Sequence, residues 1–457
     1  WPLLLGNILE WYEFAVYGFL AAEVKANFFD GSALLTWLVF AVTFFARPLG
    51  GATLGWIADR WGRRAAVNIT IAGMLVATVG QGLLPTRRSN GPVLGAAGVA
   101  LLVVFRFVQG LSAGGEISGM IAYMVESAPV ERLGLVIALV PLTGSVGGLL
   151  ANGSVQQFTY WLGTERMLDW GWRLPFIVCL LPGLVSVWGR QRFPESELFL
   201  EEMRLRRGGT GAAATPDSAS PNSASPNFDS EAAVPAGAPG VAGPSAKDER
   251  GAMCGAAGGG AMAAATAGFL RNYWRAVLVA IGAVAAHAVL SYVANVWCVS
   301  FLIAHGMPAS SALTASLVAK AVTLCVSLPS GWLTDIFGVG MMTIVYGVVT
   351  MLVGLPTWMA MSADPSGVAA VLGISVFFVA PLLLANPFLF CAELFPTASR
   401  GLGLGFAFNF GVGLFGGFGG VVAQATLHLG RSGPGILISA SGFITAGAAL
   451  LALHWER

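Results

Sequence analysis

Glu10, Glu13 and Tyr17 stand at positions i, i+3 and i+7 of an apolar run, so on a helix they share one face. A second apolar run, 93–126, carries Arg106, Gln109 and Glu116, and a third carries Lys320. A charge at the centre of a bilayer costs about 2.5–3.5 kcal/mol on insertion scales, so such groups face a protein interior and mark a substrate or ion path. A carboxylate withdrawn from water accepts a proton more readily. That suits a carrier loaded with a proton on one side and emptied on the other. Arg106 is the expected counter-charge: Glu13 or Glu10 exchanges a proton while Arg106 competes for that carboxylate and for an anionic substrate. A static ion pair is the competing reading.

Glu116 lies ten residues beyond Arg106, about 15 Å along a helix, so the two do not pair directly. Proton relay and structural hydrogen bonding stand as equal readings for it. Lys320, placed midway along its run, is a candidate for anion binding, with snorkelling toward an interface as the alternative. Together with Arg106 it would give two positive groups on one cavity, favouring a carboxylate-bearing substrate. Tyr17, Arg106, Gln109, Tyr292, Asn295 and Lys320 are the expected substrate-binding residues. Trp297 and His287, on the same run as Tyr292, read more simply as packing.

These groups need membrane-spanning elements to hold them, and the composition supplies them. Of 457 residues, 56% are hydrophobic and 10% charged, against about 25% charged in ordinary soluble domains. Mean hydropathy is +0.75. Twelve apolar runs are long enough for helices, at 2–24, 34–58, 65–84, 94–124, 134–157, 173–190, 274–304, 311–333, 341–361, 367–390, 402–427 and 434–454. Lys and Arg concentrate in the loops that become cytoplasmic if both termini are inside. The chain begins at Trp1, within an apolar run, and reads as a fragment lacking its natural start.

Residues 194–270 differ in composition. After FPESELFLEEMRLRR they become Ala/Gly/Ser/Pro-rich, with SASPN repeated at 218–222 and 223–227, and read as a disordered cytoplasmic linker. Ser220 and Ser225 precede prolines and are conceivable phosphorylation sites, though an inert linker is the simpler reading. On either side the chain echoes itself. GWIADRWGRR at 55–64 returns as GWLTDIFGVG at 331–340, and ESAPVERLGL at 126–135 returns as ELFPTASRGLGL at 393–404. Duplicated bundles follow: residues 1–193 and 271–457, six helices each, related by a pseudo-twofold axis and rocking about a site near the midplane. The fold class is an all-α membrane protein.

These motifs resemble the major facilitator superfamily. GWIADRWGRR is similar to its loop signature between the second and third helices. GNILEWYEFAVYG at 6–18, RFVQGLSAGGE at 106–116, WGWRLPF at 170–176 and FPES at 193–196 resemble its metabolite:proton symporters. That branch carries citrate, 2-oxoglutarate, shikimate, proline and betaine. The resemblance implies proton-coupled symport of a small organic metabolite, a carboxylate or zwitterion, by alternating access. It also implies that the first and fourth helices line the amino-terminal half of the cavity. Glu13 stands where the pattern usually has Asp, and the second-half loop has Ile336, Val339 and Gly340 where Arg60, Arg63 and Arg64 stand in the first. Asp59, Arg60, Arg63, Arg64 and Asp335 are the expected cytoplasmic gate. Glu126 with Arg132, and Glu393 with Arg400, resemble the superfamily's inner salt-bridge clusters.

Other classes fit poorly. A P-loop needs Gly-Lys-Ser/Thr, and none of Lys25, Lys247 and Lys320 follows a glycine. The four histidines are scattered, and the five cysteines lie far apart without a C-x-x-C pair, so neither an enzyme nor a cofactor or metal site is expected. A facilitative sugar carrier and a non-transporting receptor of the same fold remain alternatives. Expected partners are a small-molecule substrate, protons and the lipid bilayer, with no nucleic acid. The chain is expected to act as a monomer, in the plasma membrane in preference to an organelle. TGSVGG at 143–148 lacks the Gly-Pro of many antiporters, which favours symport. Nine glycines between 401 and 420 permit tight packing and bending.

Overall fold

The computed structural model describes the backbone of residues 2–61, 63–191, 259–382 and 387–455. All regular structure among them is helical. The elements used below are α1 (Pro2–Phe19), α2 (Ala33–Trp61), α3 (Arg63–Gly82), α4 (Arg87–Gly114), α5 (Glu116–Ser127), α6 (Leu139–Arg166), α7 (Gly259–Ala283), α8 (Ala309–Phe337) and α9 (Gly433–Trp455). Among the described residues eight helical stretches are long and apolar enough to cross a membrane, and Arg173–Gly189 and Val368–Phe377 are shorter apolar helices. Large apolar side chains such as Phe45, Val93, Leu101, Leu352 and Phe443 lie on the outside, while Arg47 and Arg106 are fully buried. This is the inverse of a soluble protein's surface and identifies an all-helical membrane protein.

Glycine sets how closely the helices approach. On α2 and α4, a methyl group at Gly50, Gly110 or Gly114 would collide with the backbone of Leu111, Thr43 or Arg47 respectively. Small residues four apart let two helix backbones touch, and this contact fixes the backbone that carries Arg47. The TGSVGG segment lies on α6 and does the same for α1. A methyl at Gly147 would strike the Ile8 carbonyl, and one at Gly144 would meet the Trp11 indole at 2.9 Å. Gly347, on the helix Val339–Ala363, and Gly442, on α9, pack against each other likewise.

Several expected helices are interrupted. The run 94–124 breaks at Gly115, separating α4 from α5. The run 274–304 becomes α7, Ala285–Val289, a π-helical turn at Leu290–Trp297, and Cys298–Ala304. The glycine-rich run contains two further π turns, Leu404–Phe408 and Gly413–Gly417. α7 begins at Gly259, within the stretch read as linker, and kinks at Tyr273. The Ala-rich stretch at 259–266 has high helix propensity although its composition reads as low complexity. The SASPN repeats lie outside the described residues.

Candidate functional site

A cavity lies where the part of the chain up to Gln191 meets the part from Gly259. Trp11 of α1 and Pro141, Gly144 and Ser145 of α6 line one side; His287, Ser291 and Asn295, with Lys320 and Thr323 of α8, line the other. It is small, with a cavity volume of about 50 Å³. The π turn explains two of these positions. One extra residue in the turn widens the helix, as happens often at functional sites, and it carries Ser291, Tyr292 and Asn295 together. Tyr292 stands just behind the lining, stacked on Trp11 with ring centroids 5.8 Å apart and planes 6° apart.

Polar contacts join the two parts on both sides of this cavity. Toward one end of α6, Asn152 Nδ2 donates to the Leu313 carbonyl (2.9 Å) and Gln156 Nε2 to Thr314 Oγ1 (2.6 Å). Toward the other, the Gly134 and Leu135 N–H groups donate to the two oxygens of Asp335 (2.5 and 3.0 Å). Lys320 and Thr323 lie between these sets on α8. The Lys320 side chain rests against Gly148, where a methyl would meet Nζ at 2.8 Å.

Behind Trp11, α1 presents its carboxylates to α2 and α4. Arg47 Nη2 bonds Glu10 Oε1 at 2.6 Å, with each side chain 1% exposed. The Arg47 guanidinium also lies over the Phe14 ring, 4.4 Å from its centroid. Arg106 is equally buried but turns elsewhere. Its Nη1 donates to Gln109 Oε1 (2.8 Å), and its guanidinium lies 4.1 Å from the Tyr17 ring centroid. Gln109 Nε2 donates onward to Glu13 Oε2 (3.2 Å) and Thr78 Oγ1 (3.1 Å). Glu13 Oε1 accepts a hydrogen bond from Cys179 Sγ at 3.3 Å.

The expected pairing of Arg106 with a carboxylate therefore needs correction. Glu10 is taken by Arg47, and Arg106 is linked to Glu13 by hydrogen bonds through the Gln109 amide while lying within its electrostatic reach. A guanidinium held over Tyr17 and bonded three positions along its own helix has its orientation set locally. Arg47 received no role from the sequence, because its partner is remote in the chain and FFARPLGG does not name it. Cys179 and Thr78 were missed for the same reason. Of the expected substrate-binding set, Asn295 and Lys320 line the cavity and Tyr292 adjoins it. Tyr17, Arg106 and Gln109 do not line it, and the Tyr17 hydroxyl donates to the Thr36 carbonyl at 3.0 Å. Glu116, at the start of α5, lies within electrostatic reach of Glu10 and Glu13.

At the gate, the side chains of Asp59, Arg60, Arg63 and Arg64 lie outside the described residues. Glu126 and Arg132 form no ion pair among the described residues. Instead Arg400 is within electrostatic reach of both Glu126 and Glu393, and its Nε donates to the Ala392 carbonyl at 3.0 Å. Glu126 thus lies within electrostatic reach of the second part of the chain.

The architecture and site can now be set beside known proteins. Residues 2–232 match the sugar (and other) transporter family. The ectoine/proline transporter ProP of Corynebacterium glutamicum is 30% identical over 436 residues, covering 93% of this chain and 77% of that protein. The chain belongs to the sugar (and other) transporter family. It is a multi-pass integral membrane transporter, not an enzyme. Within this family the proline/betaine transporter of Salmonella typhimurium is 32% identical over 210 residues, 45% of this chain and 41% of that protein. Among solved structures, the proton:xylose symporter XylE superposes with a TM-score of 0.70 at 19% identity, covering 100% of this chain and 94% of that one. A partially occluded inward-open form of XylE from E. coli gives 0.65 at 17% identity. That likeness establishes the major facilitator fold.

Proposed function

We propose that this transporter carries a small zwitterion or carboxylate together with protons, by alternating access between two six-helix bundles. The bundles are residues 1–193 and 271–457, twelve spans in all, related by a pseudo-twofold axis. The observation that carries the reading is the cavity between the two parts, with Lys320, His287 and Asn295 on its wall and Glu10 and Glu13 buried behind Trp11. A lysine in that wall suits a carboxylate better than a neutral sugar. Relatives named for proline, betaine and ectoine make such compatible solutes the first substrates to try, in the plasma membrane.

Glu10, Glu13 and Glu116 are the proton-handling groups in this reading, with Arg106 tuning Glu13 through Gln109. Asp335, Glu126, Glu393 and Arg400, with Asp59, Arg60, Arg63, Arg64 and Arg132, form the cytoplasmic gate that opens to release substrate. A proton entering across 100 mV contributes about 2.3 kcal/mol, and each pH unit about 1.4 kcal/mol. One proton per neutral solute then supports roughly several-hundred-fold accumulation.

The test is uptake of proline, betaine and ectoine into proteoliposomes under an imposed pH gradient, read with an internal pH dye. Expected is substrate-dependent internal acidification and accumulation. In Glu13→Gln, accumulation is lost while substrate exchange survives. Uptake that ignores the pH gradient would point to a uniporter, and no uptake at all to a receptor.

A further inference from the structure

We propose that Arg47 is a receptor for the substrate's carboxylate, and that Glu10, its partner in this structure, is released when substrate binds and then takes up the transported proton. This rests on the symport reading and names the groups that link the two ligands.

The ion pair is buried but incompletely satisfied. Among the described residues its single hydrogen bond joins Arg47 Nη2 to Glu10 Oε1, while Arg47 Nε and Nη1 and Glu10 Oε2 are buried without a hydrogen-bond partner. A pair kept for stability gains most from two parallel bonds, and each buried donor left unmade costs free energy. Half-satisfied buried pairs are poor sources of stability. Arg47 thus holds donor capacity that a second carboxylate can use. Its guanidinium rests on the Phe14 face and stays positioned when Glu10 leaves.

The pair also lies close behind the cavity wall. Glu10 adjoins Trp11, and Trp11 stacks on Tyr292. Tyr292 meets Phe44 edge to face at 4.7 Å, and Phe44 lies 5.4 Å from the Arg47 guanidinium. The Tyr292 hydroxyl is within electrostatic reach of both Arg47 and Glu10. Ring contacts between the two parts of the chain, Trp11 and Phe44 with Tyr292, thus link the cavity wall to the ion pair. Arg106 also has two donors, Nε and Nη2, without a hydrogen-bond partner among the described residues, but its Nη1 bonds the neutral Gln109 amide, so an anion taken up there would release no directly paired carboxylate.

The groups facing Glu10 decide what happens next. They are Arg47 from α2, Glu13 from its own helix, Glu116 from α5 and Tyr292 from the π turn. Once Arg47 is neutralised by a substrate carboxylate, Glu10 is left among like charges and binds a proton. The balance closes. Outside, the Glu10–Arg47 pair, one zwitterion and one proton become protonated Glu10 and an Arg47–carboxylate pair. Inside, proton and substrate leave and the original pair reforms.

The experiment uses the full chain in proteoliposomes, with betaine as probe and choline as the analogue without a carboxylate. Binding is followed separately through Trp11 fluorescence, against a Trp11→Phe blank. In Glu10→Gln, pH-driven accumulation disappears while betaine exchange continues. In Arg47→Gln, betaine affinity falls about 10- to 100-fold, the size of one hydrogen bond to a charged group, while weak choline binding is unchanged. Arg47→Lys keeps the charge, guards against misfolding, and lies between these values. Accumulation that survives Glu10→Gln, or equal losses for betaine and choline in Arg47→Gln, overturns the assignment and leaves symport standing. Wild-type protein that accumulates no substrate under a pH gradient overturns both.

Discussion

Cys179 donates its thiol proton to Glu13 Oε1 at 3.3 Å, opposite the Gln109 amide that holds Glu13 Oε2. A carboxylate buried between two donors is poised by both, and a thiol is the weaker of the two. Replacing it should therefore tune Glu13 without dismantling the site. Cys179→Ala removes the donor, and Cys179→Ser supplies a stronger one. The two variants should move the pH midpoint of uptake in opposite directions, with KM for substrate changing less than twofold or so. Shifts in the same direction would mean that the thiol acts only through packing.

Gly148 faces Lys320 and should control it. A methyl there meets the ammonium end of a flexible side chain, at 2.8 Å from Nζ, so Gly148→Ala folds and the lysine gives way. Apparent affinity for a carboxylate substrate should then fall about tenfold, while thermal stability in detergent drops by no more than about 1 kcal/mol. Unchanged affinity would place the working position of Lys320 elsewhere.

Gly114 is the contrasting case. A methyl there collides with the Arg47 carbonyl, which is backbone and cannot swing aside. Gly114→Ala should cost about 1–3 kcal/mol through overpacking, seen as a lower unfolding temperature. It should also disturb Glu10, because Arg47 rides on the displaced backbone of α2. Stability equal to wild type would mean that the two helices separate more freely than their contact implies.

The all-helical membrane fold was legible because its signals are local. Apolar runs, Gly-rich segments and intramembrane charges can each be read within about twenty residues. Lys320 and Asn295 line the cavity. What stayed hidden was pairing. Glu10 meets Arg47 and Glu13 meets Cys179 across helices whose rotation depends on contacts such as Gly50 against Leu111 and Gly147 against Ile8. The π turn at Leu290–Trp297 was equally invisible, since LSYVANVW has neither Gly nor Pro to announce a break. The turn carries Tyr292, which packs between Trp11 and Phe44 of the other part of the chain, a tertiary contact that no local pattern announces.

Asp335 supplies the test of gating. It accepts from the Gly134 and Leu135 N–H groups, while Gly134 and Gly331 approach so closely that a methyl on either meets the other's carbonyl oxygen at 2.5 Å. Nothing else can fill that contact, so separating the two parts at this end exposes two backbone donors and one carboxylate together. Hydrogen bonds to a charged group are worth about 1.5–3 kcal/mol. Asp335→Asn keeps the shape but offers one acceptor oxygen instead of two, and no charge. The population open at this end should then rise about tenfold or more. The measurement is alkylation of a cysteine introduced by Ser330→Cys, buried here five residues before Asp335 on α8, using an impermeant maleimide from the cytoplasmic side. Labelling should quicken in the Asp335→Asn background, and added substrate should change the rate. An unaltered rate would show that closure at this end is carried by the glycine contact alone.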